Sequence, residues 1–174
     1  MQPFQPEQAK FLLTAIYLPT LGNEHGVTRS VIEAIPADKS DFRPDGISKS
    51  ALDLASHIVT AEFRFLDGVA AGAFDFTPHP LPESVRTPAD LAAWYAENFA
   101  PRLARLRQLT GEQLGQIIDF RGRYQMPAVM YLGRMLHHTV HHRGQLSAYL
   151  RPMGAKIPAI YGESYDSAAA KQTA

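Results

Sequence analysis

Apolar residues recur at three- and four-residue spacing over four long stretches of the chain, separated by runs rich in proline, glycine and small polar residues. The first stretch begins near residue 9 with FLLTAIYL, is disturbed at Pro19, and resumes through LGNEHGVTRSVIEAI to Pro36. A turn-rich connection, PADKSDFRPDGISKS, follows. Ser50 and Asp53 have the spacing of a capping box, which predicts a second helix that ends near Gly72. Residues 73–88 hold four prolines and no helical period, so they predict a long crossover. Thr87 and Asp90 repeat the capping spacing with Pro88 in the first turn, opening a third helix over about 89–109.

Thr110 with Glu112 and Gln113 predicts one further turn. The segment IIDFRGRYQM, with Gly122 in its middle, reads as a loop or a short extended piece. Pro127 is then expected to start the fourth helix, which stops at the breaker cluster Arg151-Pro152-Met153-Gly154. Residues 1–8 read as a lead-in, and the tail beyond Gly154 as a turn and a loose arm. Four long amphipathic segments with little strand signal predict an all-α fold, a four-helix bundle with one long crossover connection. Its 174 residues suit a single domain with a core over about 9–162.

Composition narrows the function classes. Seventeen basic and seventeen acidic residues cancel, leaving no electrostatic footprint for nucleic acid and no charged block for a membrane surface. The absence of cysteine excludes disulfides and thiolate metal sites. No apolar run is long enough to span a bilayer and no signal-peptide pattern opens the chain, so a cytoplasmic location is the default expectation.

The chemistry concentrates in MLHHTVHHRGQLSAYL, which holds four of the seven histidines. His137 and His141 form one i, i+4 pair, and His138 and His142 another, so either could direct two imidazoles to one point. At about 100° per residue, Tyr131, Met135, Leu146 and Tyr149 share the side that carries His138 and His142. His137 and His141 lie on the polar flank with Arg134 and Gly144, and are expected in solvent. The inward pair is therefore the better metal candidate, because imidazole is the commonest metal-ligating side chain. Two ligands hold an ion poorly. A third is available from the second helix in His57, which borders the apolar face of Leu54, Ile58, Ala61 and Phe65. His25 and His79 are weaker, the latter lying in the proline-rich TPHPLP. Three neutral nitrogens would leave coordination positions open to water or substrate. Gln145, one turn beyond His142, is expected to pack at the helix interface, with a hydrogen bond to a group near the site as the alternative. Arg143 is expected at the surface or an interface as an ion-pair partner, and Glu62, well off the His57 direction, as a solvated charge.

The run His138-x-x-x-His142-Arg143-Gly144-Gln145-Leu146 resembles the fourth-helix signature of the DinB/YfiT-like superfamily. LASHIVTAEFRFLDG is similar to that family's second-helix block, and GVTRSVIEAIPADKSDFRPD to its first-helix end, so the likeness spans about residues 12–162. The resemblance implies a four-helix bundle, often a homodimer, with a divalent ion, nickel or zinc, on His57, His138 and His142. It also implies a metal-dependent S-transferase, or a related enzyme, that takes a small-molecule substrate and a low-molecular-weight thiol such as bacillithiol, mycothiol or glutathione. A metal-dependent hydrolase and a non-catalytic, stress-associated metal-binding bundle are the alternatives.

Overall fold

The structure is a computed structural model that describes residues 4–172, so residues 1–3 of the expected lead-in and 173–174 of the expected arm lie outside it. The first helical segment begins earlier than its apolar pattern does. α1 (Pro6–Phe11) runs through a π-helical stretch, Leu12–Tyr17, into α2 (Leu18–Glu33). This accounts for the disturbance expected at Pro19. In a regular helix the proline ring would crowd the carbonyl one turn back; the wider turn just before it relieves that crowding, and Leu18 N–H reaches back to the Leu13 carbonyl.

α3 (Ala51–Ala71) starts on Ser50, whose side chain accepts from Asp53 N–H, and ends at Gly72 in the left-handed region, with φ 70°. α4 (Pro88–Gln108) is opened by the reciprocal box of Thr87 and Asp90. Thr110 and Gln113 likewise cap the short α5 (Gly111–Gly115). The IIDFRGRYQM segment takes the extended option. β1 (Ile117–Phe120) pairs antiparallel with β2 (Tyr124–Pro127) around Arg121 and Gly122, both at positive φ. The all-α expectation is corrected to that extent: the chain is mostly helical and carries a two-stranded sheet. Pro127 closes β2, and α6 (Met130–Leu150) starts three residues later than expected. The tail is not wholly loose either, since α7 (Tyr165–Gln172) forms within it.

α3 packs against both α6 and α4, and α2 packs against α4 and α6. Ile58, Leu66, Leu91, Tyr95, Tyr131, Leu132 and Leu146 are buried where these helices meet, each large apolar side chain contributing about 1.5–3 kcal/mol. The crossover is held by an aromatic cluster. Phe74 lies edge-on to Phe65, Phe120 and Tyr131, with its ring centre 5.6, 5.0 and 4.8 Å from theirs. Gly68 makes room for that ring, because a Cβ there would fall 2.3 Å from Phe74 Cδ1. The architecture therefore fixes α3 against α6, which carry His57 and the histidine pair.

Candidate metal centre

His57 projects from the middle of α3, and His138 and His142 from successive turns of α6. The three rings converge. Their centres are 4.9 Å apart for His57 and His138, 4.8 Å for His57 and His142, and 4.5 Å for His138 and His142. One ring nitrogen from each lies within 4.8 Å of the others, so the group could hold a metal ion. All three histidines are half-buried, so solvent reaches part of the cluster. His137 and His141 are exposed and outside the group, as their flank position predicts.

The donor set suits a cation. The Nε2 atoms of His57 and His138 stand 3.1 Å apart. Two imidazole lone pairs at that separation repel unless a proton or a positive ion lies between them. Nitrogens each about 2.0–2.1 Å from a common ion are separated by about 3.0–3.4 Å, so the spacing matches a coordination edge. His142 Nδ1–H donates to Gln145 Oε1 at 3.1 Å, which leaves the His142 Nε2 lone pair for a ligand. The hydrogen-bonding option for Gln145 is thus the one the structure takes. His138 has no such support: its Nδ1 is buried without a hydrogen-bond partner among the described residues.

Electrostatics favour the neutral, ligating form of two of the rings, His138 and His57. Burial, reinforced by the neighbouring rings of His142, His57 and His141, pushes His138 down to about 4. Burial, then His142, Lys49 and Arg64, also lowers His57.

Behind the histidines runs a polar network that the sequence reading misplaced. Glu62 is 3 % exposed, against the expectation of a solvated charge. Its carboxylate accepts from Tyr95 Oη at 2.7 Å and from Thr139 Oγ1, next to His138, at 3.0 Å. Burial raises this carboxyl to about 7, against the lowering effect of those hydrogen bonds and of Arg143. The signal was available, since its helical neighbours Ile58, Val59, Phe65 and Leu66 are all apolar and buried. Arg143, expected at the surface or an interface, is an ion-pair partner but a buried one. It is 1 % exposed, pairs with Glu24 Oε2 at 2.5 Å and donates to Thr28 Oγ1 at 3.1 Å. Tyr161 from the tail closes over it, donating to Glu24 Oε2 at 3.0 Å. His25 is not near the three histidines in any ligating sense; it stacks on Phe99 with ring centres 3.9 Å apart. His79 lies in the exposed crossover beside Asp75.

Comparison with known proteins places the chain among relatives. The DinB family model matches residues 15–173. The chain is 30 % identical over 134 residues to the uncharacterised protein YjoA of Bacillus subtilis (strain 168), covering 76 % of this chain and 85 % of that protein. The crystal structure of YjoA, described as DinB-like, superposes with a TM-score of 0.67 at 29 % identity, covering 81 % of this chain and 94 % of that one. A DinB-like protein from Bacillus cereus ATCC 10987 superposes with a TM-score of 0.70 at 25 % identity, over 83 % and 95 % of the two chains.

Proposed function

Because the chain belongs to the DinB family, we propose that His57, His138 and His142 bind a divalent metal ion, nickel or zinc, in a thiol S-transferase acting on a small electrophile. The observation that carries this reading is the convergence of three half-buried imidazoles from α3 and α6, two of whose Nε2 atoms stand 3.1 Å apart. A bound divalent ion supplies Lewis-acid chemistry there, lowering the pKa of a coordinated thiol so that thiolate is present near neutral pH. The chain contributes the rest. α3 and α6 hold the rings in place, Gln145 orients His142, and burial keeps His57 and His138 unprotonated. Since the chain has no cysteine, the sulfur must come from a low-molecular-weight thiol co-substrate. That thiol would enter where solvent reaches the half-buried histidines.

We read the packing of the four long helices as a four-helix bundle, and the 174 residues as one domain. By family resemblance we read the working unit as a homodimer, and we propose a cytoplasmic location for it. Among the described residues no helix is long and apolar enough to cross a membrane.

The test starts with elemental analysis of protein purified without a histidine tag, followed by turnover of an epoxide by the metal-loaded protein with and without a panel of thiols. Thiol-dependent turnover supports the transferase. Turnover with no thiol present makes the protein a hydrolase. A strong fall in melting temperature on chelation, with no turnover of any substrate, makes the ion structural.

A further inference from the structure

A cavity of about 310 Å³ lies between α3, α4 and the crossover. It is within the size range of small-ligand sites, and none of the three clustered histidines lines it. Its walls are partly aromatic. Phe63 of α3 and Trp94 of α4 sit with ring centres 5.2 Å apart, and Gly68, Ala71, Ala73 and Pro80 add apolar surface. Flat apolar walls of this kind suit a ring or a short hydrocarbon body.

The polar groups of the cavity are not equivalent. Asp67 is bound by Arg102, at 3.1 Å, and by Arg105. Arg102 also donates to the Asn98 carbonyl at 2.8 Å and lies 3.9 Å from the centre of the Phe63 ring, so its guanidinium is engaged. Asp75 accepts from Thr77 N–H at 2.8 Å and faces His79. Arg64 is the exception. It is half-buried in the cavity wall and makes no hydrogen bond or ion pair among the described residues. Its charge is felt on both sides, lowering Asp75 within the cavity and His57 about two turns back along α3. A guanidinium withdrawn from water beside apolar walls gains most from a planar anion that can accept two parallel N–H bonds.

We infer that this cavity binds small aromatic carboxylates, the ring lying against Trp94 and Phe63 and the carboxylate pairing with Arg64. The site does not depend on the metal reading, because its walls are complete without the histidine cluster. Arg64 also lies seven residues beyond His57 on α3, which is about 10 Å along the helix axis.

Trp94 is the only tryptophan in the chain, so its fluorescence reports on this cavity alone. The experiment titrates metal-free protein with 3-phenylpropionate and, in parallel, with the uncharged 3-phenylpropionamide. The expected result is a saturable change in Trp94 emission with the acid and at least about tenfold weaker binding of the amide. Arg64→Gln should weaken the acid by about the same factor and leave the amide unchanged, while Arg64→Lys recovers part of the loss. Ala71→Phe, which fills the cavity, should abolish both responses while circular dichroism keeps its native form. Three results would each overturn the inference: no saturable response, equal affinity for acid and amide, or an Arg64→Gln variant that binds the acid normally. Because the protein is metal-free throughout, failure of the metal proposal leaves these outcomes intact.

Discussion

His57 Nε2 and His138 Nε2 are 3.1 Å apart although the two residues are 81 positions apart in the chain. Nothing local holds them there; the contact exists because α3 packs along α6. A metal bound between them would therefore tie two helices together, and its loss should be felt as stability as well as chemistry.

Replacing His57, His138 or His142 singly by alanine should lower affinity for a divalent ion by more than the roughly 10- to 100-fold that follows loss of an outer hydrogen bond. Gln145→Ala should fall within that range, since it removes only the acceptor for His142 Nδ1–H. His137→Ala and His141→Ala, both in solvent, should bind as the parent does. Competition titration against a chromogenic chelator measures all six. Equal losses at His137 and His138 would show that the ion sits on the surface flank.

The inward direction of His138 and His142 was legible because it depends on direction around a single helix. Met135, Leu146 and Tyr149 mark the inward side of α6, and His138 and His142 fall on it. Helix limits were legible where a cap is a local event, as at Ser50, Thr87 and Gly72. Arg143 was not, since its burial is set by Glu24, 119 residues away on a different helix. A helical wheel gives the direction a charge points but not whether an opposite charge waits there. The hairpin escaped a firm assignment for a related reason: Phe120 is held by Phe74 and Tyr131, contacts that no short window contains.

Arg143 and Glu24 form the buried ion pair of the molecule's polar network, with side chains 1 % and 12 % exposed. Arg143→Ala leaves the Glu24 carboxylate without its cation in a largely dry site. The expected cost is about 3–5 kcal/mol, which at about 2–4 °C per kcal/mol for a domain of this size lowers Tm by roughly 10 °C. Replacing both partners with apolar residues should recover much of the loss. Urea denaturation of the two single variants and the double variant checks this, and additive losses would mean that the pair is not coupled.

Gly111 lies where α5 meets the first helix, and a Cβ there would stand 2.2 Å from the Pro6 carbonyl oxygen. The obstacle is backbone, so no rotamer change can relieve it. Gly111→Ala should cost about 1–3 kcal/mol, read from the denaturation midpoint. Gly26→Ala, where a Cβ meets nothing within 4 Å, is the control and should be neutral or slightly stabilising.

The buried Glu62 carboxyl makes a prediction about pH. Its folded value, about 7, lies above the ordinary 4.5 because burial disfavours the charge. Between those values the native state holds a proton that the unfolded chain has released, so this group's contribution is full below about 4.5 and is lost as pH rises through about 7. His25 and His138, pushed down to about 4, act oppositely: their contribution is present above the ordinary 6.5 and is lost as pH falls through about 4. The total pH profile mixes these effects, and a difference between two proteins isolates one of them. Glu62→Gln keeps an uncharged group that can accept from Tyr95 and removes the titration. Relative to this variant, the parent should lose up to about 3 kcal/mol between pH 5 and pH 8. Parallel melting curves at several pH values measure the difference. A constant gap across that range would mean that Glu62 titrates like a carboxylate in water, and that its network with Tyr95 and Thr139 carries the charge at no cost.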